Sequence, residues 1–219
     1  MINMFSENKQ TLISERFLDH FGLAGSTADT MVWHPQTTKP GFLHIDIYEL
    51  KTDSEYYLYS IGGSGRKNHN GKYCEVFFRF KDNLPEALTK RITSERASLH
   101  NAIGFEDETE LMFLDDGEYN YFDDADELWL SEIGNGEFCG LFIYEAFRIT
   151  SGSPYVTYYK AIPASKAELD FIESHKDVSY KDLILAFKPY LGDRMDLTKC
   201  RSLTEDEMQR IYEELITTE

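Results

Sequence analysis

The N-terminal region of the chain carries hydrophobic residues at the spacing of an amphipathic helix. Ile13, Phe17 and Phe21 recur every four residues, so a helix here would have one apolar face. The pattern predicts a helix over residues 6–21, and Gly22 is a natural residue for its end.

Further helices are predicted in the middle of the chain and toward its C-terminus. Ser165 with Glu168, and Thr204 with Glu207, match the capping box, in which two side chains satisfy the first backbone donors of a helix. We therefore expect helices over residues 85–99, 165–175 and 179–190, and a last helix that opens at Thr204.

The central part of the chain alternates apolar and polar residues, which is typical of half-buried β-strands. The turn sequences Asp115-Asp116-Gly117 and Gly134-Asn135-Gly136 each predict a hairpin between two such segments, whereas the Thr-, Pro- and Gly-rich residues 25–41 predict a loop. Strands are predicted over residues 42–48, 56–61, 74–80, 110–114, 118–122, 127–133, 138–149 and 156–162. Central strands with helices at both ends indicate an α+β or layered α/β fold with a mixed β-sheet.

An acidic block interrupts the charge pattern between residues 97 and 147. It contains fourteen Asp and Glu residues and no Lys or Arg, in a chain with a formal net charge of −17. Apolar residues are interspersed through the block, so we expect it to fold and to display its carboxylates from the strands and turns. A surface of one sign favours a basic protein partner. The candidate partner-binding residues are Asp115, Asp116, Glu118, Asp123, Asp124, Asp126 and Glu127.

Charge and composition also exclude several classes of function. A pI near 4.7 disfavours binding to nucleic acid or to an anionic membrane surface, because both need Lys and Arg. The chain shows neither an apolar signal-peptide segment nor a run of membrane-spanning length, so we expect a cytoplasmic protein. Its three cysteines, at positions 74, 139 and 200, fit neither a disulfide framework nor a zinc site, which predicts reduced structural thiols.

A metal site is the chemical alternative that we keep. His44 and Asp46 would share one face of a strand, about 7 Å apart. Together with His34, His69 or Cys74 they could form a metal centre, although a structural pair is the commoner arrangement. We expect no catalytic residue, no metal and no other cofactor, and we keep a metal-dependent enzyme as an alternative hypothesis.

Several segments, taken in order, resemble the suppressor of fused (SUFU) domain family. The resemblance spans roughly residues 30–188 and includes a His-Ile-Asp-Ile-Tyr strand, a Ser-Ile-Gly-Gly-Ser turn and a Glu-Val-Phe-Phe strand. The residues that carry the family pattern are Trp33, His34, His44, Asp46, Tyr48, Gly62, Ser64, Glu75, Pro163 and Glu168. Residues 81–100 depart from the pattern, and residues 106–126 are peculiar to this chain.

The resemblance implies an α/β protein-binding domain without enzymatic activity. We therefore expect three parts of the chain: an N-terminal helical segment (residues 1–29), a SUFU-like domain (30–190) and a C-terminal helix packed on that domain (191–219). Animal members hold a transcription factor, and bacterial members are similar to immunity proteins. The leading hypothesis is therefore an immunity protein whose acidic face neutralises a basic toxin domain such as a nuclease. A regulatory adaptor that sequesters another basic protein is the alternative.

Overall fold

The structure is a computed structural model of the 219-residue chain. It describes residues 7–26, 29–33, 45–61, 68, 70–81, 85–88, 90–92, 115–122, 129–150 and 155–218. At residues 7–10, 29–33, 45–47, 129, 135 and 193 it describes the backbone alone.

Four α-helices lie in the regions where hydrophobic spacing and capping boxes predict them. They are α1 (Glu7–His20), α2 (Lys166–Ser174), α3 (Tyr180–Phe187) and α4 (Glu205–Thr218). Both capping boxes are formed: Ser165 and Glu168 exchange hydrogen bonds with each other's backbone N–H groups, and so do Thr204 and Glu207. Residues 86–88 and 90–92 are also helical. No helix in the described ranges is long and apolar enough to cross a membrane.

Seven strands form one mixed sheet with the order β1-β2-β3-β4-β7-β6-β5. The β1–β2, β2–β3 and β5–β6 pairs are antiparallel, and the β4–β7 pair is parallel. The strands are β1 (Asp29–Trp33), β2 (Ile45–Lys51), β3 (Glu55–Ile61), β4 (Tyr73–Lys81), β5 (Glu118–Tyr121), β6 (Phe138–Ile149) and β7 (Val156–Ser165). The predicted α+β class with a mixed sheet is confirmed.

Two predictions of local structure were wrong. Strand β1 lies within the predicted loop, where its register against β2 pairs Asp29 with Glu49. The predicted strand over residues 127–133 is a 3₁₀ helix at Trp129–Glu132, so the second predicted hairpin does not form. Leu130 and Ile133 are both buried and three residues apart, a spacing that one face of a helix satisfies and a strand does not.

Two other predictions needed adjustment. The turn at Asp115-Asp116-Gly117 forms and leads into β5, but the described pairing of β5 is with β6; the first arm of the predicted hairpin, residues 110–114, lies outside the described residues. Strand β7 continues through Pro163 to Ser165 instead of ending at Ile162. The Pro163 carbonyl accepts a hydrogen bond from Arg194, so this residue contributes an acceptor where it has no N–H to donate.

The chain divides into two compact units. The first comprises residues 1–79, 97–114 and 145–160, and the second comprises residues 80–96, 115–144 and 161–219. The boundaries predicted at residues 29 and 190 stay predictions.

The core of the first unit is aromatic. Phe17 of α1 is fully buried and stacks on Tyr59 of β3, with ring centroids 4.0 Å apart. Phe147 of β6 stacks on Tyr158 of β7 at 5.0 Å. Burial raises the pKa of Tyr59 to about 12, although Ser14 shares a hydrogen bond with its hydroxyl. The helix and the strands of this unit are thus joined through ring packing.

The core of the second unit is formed by α2, α3 and α4 together with residues of β6 and β7. Leu183, Ile184 and Phe187 form the buried face of α3, and the Tyr144 hydroxyl donates a 2.9 Å hydrogen bond to the carbonyl of Ile184. Met208 provides part of the buried face of α4. This core supports the elements around the acidic turn described below.

Candidate functional site

The acidic turn, residues 115–118, lies at the start of β5 and is held against the first turn of α3. The Lys181 ammonium lies 3.3 Å from Asp115 Oδ2 and 2.7 Å from Glu118 Oε1. The Tyr180 hydroxyl donates a 3.0 Å hydrogen bond to Glu118 Oε2. Two carboxylates therefore share one cation, which leaves the cluster with a formal charge of −1 before Asp116 is counted.

Gly117 fixes the shape of the acidic turn. Its φ is +75°, a left-handed conformation that favours glycine, and its N–H donates a 3.0 Å hydrogen bond to the carbonyl of Ile143 on β6. A Cβ at this position would lie 3.0 Å from the backbone oxygen of Lys181. The turn is thus packed between β6 and α3, and its side chains start from a fixed base.

The electrostatics of the acidic turn reflect this packing. Burial lowers the pKa of Lys181, but its hydrogen bonds and charge interactions with Glu118 and Asp115 outweigh burial, so the pKa is raised. The pKa of Tyr180 is raised by burial first and then by its hydrogen bond to Glu118. Lys181 therefore stays protonated at neutral pH and remains a cation for both carboxylates.

Other described carboxylates of the acidic block also contact cations of the chain. Glu132 pairs with Arg91. Glu145 lies 2.7 Å from Arg148 Nε and 3.8 Å from Lys72 Nζ. The block is thus partly neutralised by Lys and Arg residues that lie outside it in sequence, a pairing that the one-dimensional charge pattern does not reveal.

The structure locates three of the seven predicted partner-binding residues. Asp115, Asp116 and Glu118 lie together in the acidic turn, each partly exposed. The other four, Asp123, Asp124, Asp126 and Glu127, lie outside the described residues. The assignment of these seven residues to partner binding stays a prediction.

One family-pattern residue of the first unit, Glu75, is a buried carboxylate. Glu75 of β4 is fully buried and accepts a 2.6 Å hydrogen bond from Ser60 Oγ, which in turn accepts one from the Val76 N–H. The Tyr158 hydroxyl donates to the carbonyl of Ser60 at 3.3 Å, and burial raises the pKa of Tyr158 strongly. Tyr48 stacks on Tyr59 with centroids 5.2 Å apart. These contacts join β3, β4 and β7 through polar groups within the unit.

The residues of the metal hypothesis, and the family-pattern residues Trp33, Gly62 and Ser64, are only partly described. Trp33 and Asp46 lie in paired strands, where Trp33 is opposite Ile45 and Asp46 is opposite Ile61. Four others, His34, His44, Gly62 and Ser64, lie outside the described residues, as does His69. Within the described ranges there is no cluster of three potential metal ligands.

Glu168, a family-pattern residue of the second unit, forms a buried ion pair with Arg194. Glu168 makes two charge-assisted hydrogen bonds with the Arg194 guanidinium and accepts the N–H groups of Ser165 at 2.9 Å and Leu203 at 2.7 Å. Arg194 also donates to the carbonyl of Pro163 at 2.6 Å. The sequence analysis identified Glu168 and Pro163 but missed Arg194, because nothing near that arginine in sequence marks its partner 26 residues away.

The three cysteines are free, as predicted. Cys74 and Cys200 are buried and Cys139 is partly buried. Burial raises the pKa of Cys200 to about 12, and it also raises that of Cys139. Both thiols are therefore protonated and unreactive at neutral pH.

Comparisons with known proteins identify the fold. A SUFU homologue from Neisseria gonorrhoeae superposes with a TM-score of 0.52 at 14% identity, covering 90% of this chain and 97% of that chain. A chain of the Sufu–Fu complex superposes with a TM-score of 0.53 at 12% identity, covering 95% of each. No protein-family model and no curated protein sequence matches the chain. The protein has a SUFU-like fold.

Proposed function

We propose that this protein is a non-enzymatic binding module that captures a basic protein through its acidic block. The observation that carries the proposal is the excess of carboxylates. The chain has 39 Asp and Glu residues against 22 Lys and Arg residues, a difference of 17. However the side chains are arranged, at least 17 carboxylates lack a Lys or Arg partner of their own.

Ion pairs within the chain involve part of the acidic block. In the described part of the acidic block, Asp115, Glu118, Glu132 and Glu145 already contact cations. Eight of the block's fourteen carboxylates lie outside the described residues, among them Asp123, Asp124 and Asp126. We assign to the partner the seven carboxylates that the sequence predicts, because a basic surface is attracted to a concentration of negative charge. They are Asp115, Asp116, Glu118, Asp123, Asp124, Asp126 and Glu127.

The fold supports a protein partner. One chain of the Sufu–Fu complex shares this fold, and the complex is named as an assembly of two proteins. Among basic proteins we favour a toxin domain, and a nuclease in particular, because a nuclease needs a cationic surface for phosphate and an acidic protein can occupy that surface. An acidic face also accelerates association with a basic partner by electrostatic steering.

The test is co-expression with the basic product of a neighbouring gene, followed by measurement of the dissociation constant over a series of salt concentrations. We expect the D123N/D124N/D126N variant to bind about tenfold or more weakly. The control variant, E173Q/D206N/E214Q, removes the same charge from exposed positions outside the block and should bind almost as the unmodified chain does.

The outcomes separate the versions of the proposal. If the partner is a toxin and loses its activity in the complex, the immunity role is supported. If the partner is a basic protein without toxic activity, the adaptor role is supported. Lysozyme is the control for non-specific binding of a basic protein to the acidic chain. Affinity that does not depend on salt, or that falls equally in the two triple variants, would contradict binding through the acidic block.

A further inference from the structure

The second unit contains a polar pocket with an unusual composition for so acidic a chain. It has a volume of about 290 Å³. Its lining includes four cationic side chains, one carboxylate and one aromatic ring: Lys81, Arg194, Lys199, Arg201, Asp196 and Tyr190. These residues come from the end of β4 and from the segment that connects α3 to α4, so the fold brings together cations that are far apart in sequence.

Two lysines face the carboxylate without hydrogen bonding to it. The Nζ atoms of Lys81 and Lys199 lie 3.8 and 3.7 Å from Asp196 Oδ2, beyond hydrogen-bond distance. The Asp196 side chain is only 5% exposed, and Thr198 donates a 2.6 Å hydrogen bond to its other oxygen. Lys199 by contrast is 76% exposed. The ammonium groups therefore keep N–H donors that can form hydrogen bonds to an anion in the pocket.

The two arginines have different roles in the pocket. Arg194 is buried and its guanidinium is paired with Glu168, so it forms part of the wall. Arg201 is largely exposed and pairs with Glu207 at 2.7 Å. Among the side chains that line the pocket, the four cations outnumber the one carboxylate, Asp196.

We propose that this pocket binds a phosphate dianion, either free phosphate or the phosphate of a small monoester. A dianion outcompetes the single charge of Asp196 for the two ammonium groups and can accept charge-assisted hydrogen bonds from both. The pocket is larger than phosphate alone requires, and the partly exposed ring of Tyr190 offers a surface for an attached organic group. This site goes beyond the proposed function and is independent of the acidic block.

The binding test is isothermal titration calorimetry of the full chain at constant ionic strength. Inorganic phosphate and glucose 6-phosphate are the two probes, and acetate is the monoanionic control. Saturable binding of glucose 6-phosphate that is tighter than that of phosphate identifies a monoester site, and equal binding identifies a site for the phosphate group itself. No saturable binding of either at millimolar concentration, or equally tight binding of acetate, overturns the proposal.

Single variants test the assignment to this pocket with changes of opposite sign. K199M and K81M should each weaken phosphate binding about tenfold, while each leaves one lysine beside Asp196. D196N should strengthen binding, because the competing charge is removed and the amide oxygen can still accept the Thr198 hydrogen bond. K176M removes an exposed lysine elsewhere and should have no effect. Weakening in D196N, or the same loss in K176M as in K199M, overturns the assignment.

Discussion

Two clusters in the second unit place carboxylates against cations, one in the interior and one near the surface. In the interior, Glu168 is 0% and Arg194 is 3% exposed. In the acidic turn, Asp115 and Glu118 are each 18% exposed and Lys181 is 33% exposed. The two clusters have similar chemistry, yet they differ in how completely the protein surrounds the charges.

The difference separates structural charges from charges available to a partner. Glu168 accepts hydrogen bonds from a guanidinium and from two backbone N–H groups, and so joins the end of β7, the start of α2 and the segment before α4. Removal of one partner of such a pair leaves the other charge buried and uncompensated. The acidic turn shares one lysine between two carboxylates and stays in contact with water, so its pairs contribute little to stability and can be exchanged for a partner's cations.

The largest effect is expected from R194M, which leaves the buried Glu168 carboxylate without its cation. We expect the free energy of unfolding to fall by about 3–5 kcal/mol, because an uncompensated charge in the interior is strongly unfavourable. Urea denaturation at pH 7 measures the loss.

The double variant E168Q/R194M is the control for this expectation. It removes both charges, so its loss should be smaller than the sum of the losses of the two single variants. A loss below about 1 kcal/mol in R194M would mean that the interior pair behaves like a surface pair, and the distinction between the two clusters would fail.

The second effect concerns the acidic turn and its contact with α3. G117A should destabilise the protein by about 2 kcal/mol, because an alanine is strained at a φ of +75° and its Cβ lies 3.0 Å from the Lys181 backbone oxygen. Gly71 has nearly the same φ, +74°, with nothing within 4 Å of an added Cβ. G71A should therefore show the strain alone and cost less. Equal losses in urea denaturation would show that the turn is not packed against α3.

Local features of this fold could be predicted from the sequence, and pairings between distant residues could not. The Ser165 capping box is completed within four residues, so the start of α2 is visible in the sequence. Strand β1 depends on its register with β2, which local composition does not encode. Leu130 and Ile133 were assigned to a strand because apolar residues between glycine turns are typical of hairpins, whereas their three-residue spacing fits the 3₁₀ helix that forms.

The same limit applies to the candidate sites. The sequence identified the carboxylates Asp115 and Glu118, but their cation, Lys181, lies more than sixty residues farther along the chain. It likewise gave Glu168 without Arg194. A sequence shows where charge is concentrated, and only the fold shows which charges are already neutralised.

A smaller effect is expected at the start of α4, where an exposed pair acts through helix capping. Hydrogen bonds from Arg201 and from the Thr204 backbone lower the pKa of Glu207 to about 2. A lowered carboxyl pKa stabilises the fold above the unfolded value near 4.5, and this contribution is lost as the pH falls toward 2. E207Q should cost about 0.5–1 kcal/mol at pH 7, and the difference from the unmodified chain should shrink below pH 4.5. E205Q, two residues away at an exposed carboxylate without a described contact to Arg201, should cost less at pH 7.

The smallest loss of stability is expected from K181M, which should at the same time keep or increase the affinity for a basic partner. Loss of a partly exposed ion pair should cost about 0.5 kcal/mol, and less at high salt. The substitution also removes one positive charge beside Asp115 and Glu118, so a basic partner should bind as tightly or several-fold more tightly. K176M makes the same charge change at an exposed position without a described carboxylate contact and should leave affinity nearly unchanged. Weaker partner binding in K181M alone would show that Lys181 holds the acidic turn in the orientation that the partner requires, and the turn would then be a preorganised site, as the interior pair is.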